Sequence, residues 1–193
     1  MNENILLIIL TTALINNIVL GQFLGISTFM GASTSIKTAG IMGGTMIVII
    51  TLTAAVTGAI FEFVLQPLGI VFLSTFIFIA IIVGIVKALS LLVKQYAKKH
   101  VHIVEMYWPI LALNCAILGV TVINARMGNG VLTSTVNGLA AAVGFSVVII
   151  IFAAVRERIT HDDIPLSFRG MPILLLTAGL MAMAFYGFSV LLF

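Results

Sequence analysis

The sequence predicts an all-α integral membrane protein of six transmembrane helices, built as two inverted three-helix repeats with interrupted helices in spans 1 and 4. Three observations predict it. The 193 residues are 62% hydrophobic with a mean hydropathy of +1.30, and charged residues make up 8%, against about a quarter in a typical soluble domain. The apolar runs are continuous, whereas barrel strands would alternate polar and apolar residues over about ten positions. Similar short segments recur at an offset of about 97–99 residues. A chain so poor in polar groups cannot cover itself in water, so its outside faces lipid.

Six stretches reach the roughly 20 residues that a span needs. They run approximately 5–25, 39–61, 68–93, 104–124, 131–155 and 171–192. The first lacks a basic region before it and a small-residue cleavage pattern after it, so it reads as a retained span. Between the spans lie a Ser/Thr segment with Lys37, a tight Gln66-Pro67 turn, and a basic loop from Lys94 to His102. A short Gly128-Asn129-Gly130 turn and a charged loop from Arg156 to Gly170 follow. None of these connections is a soluble domain able to hold a nucleotide or a catalytic pocket.

Charge sets the orientation. With alternate loops on one side, Lys37, Lys94, Lys98, Lys99, Arg156, Arg158 and Arg169 share a face, and Lys87 lies close to the end of its span. Arg126 alone falls on the other, so eight of nine basic residues mark the cytoplasmic face. Both termini are then extracytoplasmic. The net charge of +3 reflects this topology and says nothing of nucleic acid.

The repeat divides a single membrane domain, 1–193, into halves of about 1–97 and 98–193. Asn17 aligns with Asn114, Leu20-Gly21 with Leu118-Gly119, and Ala54-Ala55-Val56 with Ala153-Ala154-Val155. Three spans per half force the second half to enter the membrane from the opposite side, an architecture that often builds a midplane site from broken helices. The candidate breaks, and candidate ion-path residues, are Asn16, Asn17 and Gly25 in span 1 and Asn114 and Gly119 in span 4. A buried Asn needs a partner and Gly permits a break or a close approach. The plainer alternative is that they only join helices. Packing alone explains Gly40, Gly43, Gly44 and the stretch from Gly138 through Ala140-Ala141-Ala142 to Gly144.

Chemistry is sparse. Glu62, Lys87 and Glu105 lie near span ends, where long side chains reach the interface, so a self-contained proton pump is not expected. His100, His102 and His161 sit in charged loops without ligand-like spacing. A single cysteine rules out an internal disulfide, and Cys115 has the plain reading of a small apolar residue. As a metal ligand it would need donors from another chain.

Several blocks carry a family resemblance. They are Asn16-Asn17 through Phe23-Leu24-Gly25, Phe29-Met30-Gly31, Asn114-Cys115-Ala116-Ile117-Leu118-Gly119 and Gly138 to Phe145. Arg156-Glu157-Arg158, Asp163-Ile164-Pro165, Phe168-Arg169-Gly170 and Thr177 to Ala182 complete the set. In this order they resemble the family of A-type membrane subunits of the Rnf electron-transport complex. A sibling family, the E-type subunits of the sodium-translocating NADH:quinone reductase, shares the pattern; Asn16-Asn17 and the short loop around Gln66-Pro67 favour Rnf.

The resemblance implies a redox-driven ion translocase, active only as a complex, that passes electrons between ferredoxin and NAD and moves Na+ or H+. It implies a homologous membrane partner of opposite topology (the Rnf E-type subunit), other Rnf subunits, and a [2Fe–2S] cluster inside the membrane shared between the pair. In the family each partner gives two cysteines, one in the Asn-Cys motif and one after Leu-Gly-x. Cys115 matches the first. Leu24-Gly25-Ile26 is followed by Ser27, so a hydroxyl stands where the family has a thiol. Two other classes remain: a small solute carrier on the same repeat, and a structural subunit that anchors redox partners.

Overall fold

Helix is the form these apolar runs must take, because hydrocarbon leaves each backbone N–H and C=O to be satisfied within the chain. The computed structural model describes residues 17–96, 111–159 and 164–192, and all regular structure among them is helical. The helices are α1 (Ile18–Gln22), α2 (Ile26–Ala32), α3 (Ile36–Ile60), α4 (Ser74–Tyr96), α5 (Cys115–Arg126), α6 (Val131–Arg158) and α7 (Met171–Leu192). Among the described residues three continuous helical stretches, Ile36–Leu68, Val71–Gln95 and Val131–Arg158, are long and apolar enough to cross a membrane. Expectations placed on residues 1–16, 97–110, 160–163 and 193, Asn16, Glu105 and all three histidines included, lie outside the described residues.

The chain divides into two compact units: Val48–Leu139, and Met1–Ile47 with Ala140–Phe193. Each takes residues from both sides of position 97. In the Val48–Leu139 unit α4 packs on α5, and Phe61, Leu65 and Phe78 form a core that Leu118 and Val122 close. The Phe61 and Phe78 ring centroids lie 6.4 Å apart. Gly138 lets α6 meet α3 closely: a Cβ there would stand 2.5 Å from the Ala54 Cβ and 3.4 Å from the Ile50 carbonyl. In the other unit α7 packs on α1, Phe29 stacks near Phe152 at 4.5 Å, and the Ser146 hydroxyl donates to the Gly43 carbonyl at 2.8 Å. Gly40 and Gly44 have open space beside them, so of that glycine cluster only Gly43 is in close contact.

Among the boundaries that differ from the sequence reading are those after α3 and α4. The expected Gln66-Pro67 turn is helical: α3 runs into a π-helical turn at Phe61–Leu65 and a last turn at Gln66–Leu68. In the π turn the Gln66 N–H reaches back to the Phe61 carbonyl, so Pro67, which has no N–H, follows a place where the ladder is already shifted. The chain turns at Gly69 instead (φ 68°), where Gly69 N–H bonds the Gln66 carbonyl and Ile70 N–H the Leu65 carbonyl, a Schellman stop. Beyond it, α4 continues to Tyr96, which places Lys87 deeper in its helix than the 68–93 span suggests.

Candidate functional site

Asn17 and Asn114 do the same local work. Asn17 precedes α1, and its Oδ1 accepts from the N–H of Val19 at 3.0 Å and of Leu20 at 3.4 Å. Asn114 precedes α5, and its Oδ1 accepts from the Ala116 N–H at 2.9 Å. Both side chains are buried and both backbones are extended, with ψ of 120° and 116°. An Asn oxygen that accepts orphan N–H groups is what starts a helix. Helical residues 111–112 end just ahead of Asn114, so at that Asn one helical piece stops and the next begins.

After α1 the chain changes direction twice. Phe23 caps α1 at φ 55°, and Gly25 opens α2 at φ 82°. The left-handed conformation suits Gly and is a real outlier for a bulky residue; Phe23 is also 56% exposed. Strain of this kind persists only where surrounding structure over-determines it. Behind Phe23, between α1 and α7, lies a mostly apolar cavity of about 330 Å³ whose walls include Asn17, Leu20, Gly179 and Tyr186.

Ser27 is the second residue of α2 and Cys115 the first of α5, and both are exposed. They belong to different units. Gly119 lies in the second turn of α5 and is partly buried. Among the described residues no three His, Cys, Asp or Glu side chains gather as a metal site.

Three further residues hold the helix ends, and the sequence reading gave them no task. Arg156 donates from Nη1 to the Met30 carbonyl at 3.0 Å and to the Ser33 hydroxyl at 3.1 Å, closing the carbonyl end of α2. Its neighbour Glu157 accepts the Ile36 N–H at the start of α3, at 2.8 Å. Glu62 accepts the Val131 N–H at the start of α6, at 3.0 Å. Glu62 and Glu157 are 95 residues apart, as are Ile36 and Val131. The signal was present as two acids at a fixed distance from two helix starts, but a carboxylate near a span end reads equally well as solvated.

Asn124 organises the turn between α5 and α6. Its Nδ2 donates to the Ser134 carbonyl at 3.2 Å, and its Oδ1 accepts from Asn129 at 3.1 Å and Asn137 at 3.3 Å. Each polar atom is used, so this cluster is a fastening of the Gly128-Asn129-Gly130 turn.

Residues 5–192 match the sequence profile of the family described as Rnf-Nqr subunit, membrane protein. The chain belongs to the Rnf-Nqr family. It is a multi-pass membrane protein. It is 42% identical to the A-type subunit of an ion-translocating oxidoreductase complex from Edwardsiella ictaluri, over 95% of both chains. It is 40% identical to the protein of that name from Thioalkalivibrio sulfidiphilus, over 94% of this chain and 95% of the relative. A third, from Shigella flexneri, is 41% identical over 95% of each. For an Rnf-Nqr protein the donor chemistry of Ser27 and Cys115 matters. One hydroxyl and one thiol amount to half of a four-ligand set, and each is exposed on its own unit. Two donors are too few to hold an iron–sulfur centre alone.

Proposed function

We propose that this chain is the A-type membrane subunit of an ion-translocating ferredoxin:NAD oxidoreductase (Rnf) complex. The observation that carries the reading is near end-to-end identity, 40–42%, with relatives that are all named as A-type subunits of an ion-translocating oxidoreductase complex. That likeness favours a redox role over a solute carrier. The complex sits in the cytoplasmic (inner) membrane with both termini of this chain outside, and it couples electron transfer to Na+ or H+ movement. The chain acts with a homologous membrane subunit of opposite topology and is inactive alone.

Six spans in two inverted halves complete the reading, with Asn17 and Asn114 marking the broken helices of spans 1 and 4. What supports it is the matched capping by these two Asn residues and the shared 95-residue spacing of the Glu62 and Glu157 bonds. An ion path would run at the breaks beside Gly25 and Asn114.

Cys115 and Ser27 would hold this chain's side of the shared [2Fe–2S] centre. When bound, that group supplies one-electron transfer within the membrane. The chain's own residues keep the ligands in place. Asn114 fixes the start of α5 beside Cys115, and the Gly25 turn presents Ser27. Arg156 and Glu157 secure the far end of α2 and the start of α3.

The test is iron content and the paramagnetic signal of the purified complex. Cys115→Ala should lower both and abolish electron transfer; retention of both would sink the ligand assignment. A Ser27→Cys complex should shift the signal without loss of iron, because a thiolate replaces a harder oxygen donor.

A further inference from the structure

α4 carries a charge at a depth where the bilayer has nothing to balance it. Lys87 lies nine residues before Tyr96, about 13 Å from that end of the helix at 1.5 Å per residue. With Lys94 at the headgroup level, Lys87 is about 10 Å inside a hydrocarbon core of about 30 Å. The ammonium cannot simply reach back. Helical side chains tilt toward the helix N-terminus, which directs the Lys87 stem away from Lys94 and toward the middle of the span.

Among the described residues nothing offers relief. Lys87 is exposed, and it makes no hydrogen bond or ion pair among the described residues. α4 is also a peripheral helix: the most apolar window of its span is 17% buried, against 61% for the window in α6. On the same face as Lys87, Gly84 and Ala88 are exposed, with open space beside Gly84. Small residues at i and i+4 let another backbone come close. An ionisable side chain within a span pairs with an opposite charge or lines a polar path.

From this we infer that the Lys87 face of α4 is an interface with a transmembrane helix of another protein, one that sets an Asp or Glu opposite the Lys87 ammonium. Gly84 and Ala88 allow the approach, and the ion pair fixes depth and rotation. That the partner belongs to the same redox complex rests on the function proposed above; the need for a carboxylate rests on Lys87 alone.

The experiment uses the whole complex in native membranes, with the photoreactive residue benzoylphenylalanine in place of Leu91, one turn from Lys87. The expected product is an adduct with a membrane span of another subunit that carries Asp or Glu within a turn of the attachment point. Lys87→Glu should cut the adduct by about tenfold or more, and a Lys at the mapped acid should restore it. Lys87→Gln, which inserts at least as readily as the wild type, should lower the adduct too, while Lys87→Arg should keep it. Adducts with lipid only, with a span lacking an acid, or unchanged by Lys87→Glu and Lys87→Gln would overturn the inference. Recovery of the redox subunits with the unmodified chain is scored separately. If they are recovered and the adduct fails, the interface is wrong and the functional reading stands; if they are never recovered, the functional reading itself fails.

Discussion

The Glu62 carboxylate accepts the backbone N–H of Val131 at 3.0 Å, so the π-helical turn near the end of one membrane-length helix caps the first turn of another. The first N–H groups of a helix have no partner within it, and an anionic acceptor there is favoured by both the hydrogen bond and the helix dipole. Glu62→Ala should therefore lower stability by about 1 kcal/mol, the usual cost of a lost cap. Glu62→Gln, which keeps a carbonyl oxygen in place, should lose less. Thermal unfolding in detergent checks both, and an unchanged midpoint for Glu62→Ala would show that the bond contributes nothing.

Much of this architecture is legible in the sequence, and what is not has a physical reason. Hydropathy placed the starts of α6 and α7 at Val131 and Met171, because a span begins where the apolar run begins. It missed the helical turns that carry this stretch on from α3 to Leu68, because Pro67 signals a break only where an unshifted ladder needs its N–H, and the π turn removes that need. Asn17 and Asn114 stood out as polar residues in apolar runs, since an Asn in hydrocarbon must find a partner, and both cap helix starts. The cap made by Glu157 on Ile36 was not legible, because its partner is a backbone N–H 121 residues away and a carboxylate near a span end reads equally well as solvated. The exposure of Cys115 was equally hidden: a lone Cys in an apolar run reads as core, and only its place at the head of α5 turns it outward.

Arg156 is a second fastening with a separable effect. It gives the Met30 carbonyl and the Ser33 hydroxyl one charged donor, and hydrogen bonds of this kind contribute about 1.5–3 kcal/mol. Arg156→Ala should open the segment between α2 and α3 while leaving α5 undisturbed. Hydrogen exchange should then rise at residues 31–36 and stay constant at 115–126. A uniform rise across the chain would mean that Arg156 supports global stability rather than this junction.

The glycines divide into those that are needed and those that are not. Gly138→Ala places a Cβ against the Ala54 Cβ and near the Ile50 carbonyl, and overpacking of this sort costs about 1–3 kcal/mol. Gly44→Ala meets nothing within 4 Å and should be neutral or gain up to about 1 kcal/mol from helix propensity. Unfolding midpoints of the two variants should move in opposite directions or differ clearly. Equal midpoints would contradict the close approach of α6 to α3 at Gly138.

Cys115 offers the most direct view of assembly. Its exposure at the head of α5 means that a thiol reagent should label it in the isolated chain in detergent. If the face around it is covered by a second membrane subunit, as the functional proposal requires, the same reagent should label the intact complex far more slowly. Asn114→Ala supplies the internal control. Loss of the 2.9 Å cap on Ala116 should cost about 1 kcal/mol and loosen the start of α5, so protection in the complex should weaken while labelling of the isolated chain stays fast. Equal labelling of isolated and assembled wild-type protein would place Cys115 away from any subunit contact and remove it from the shared site.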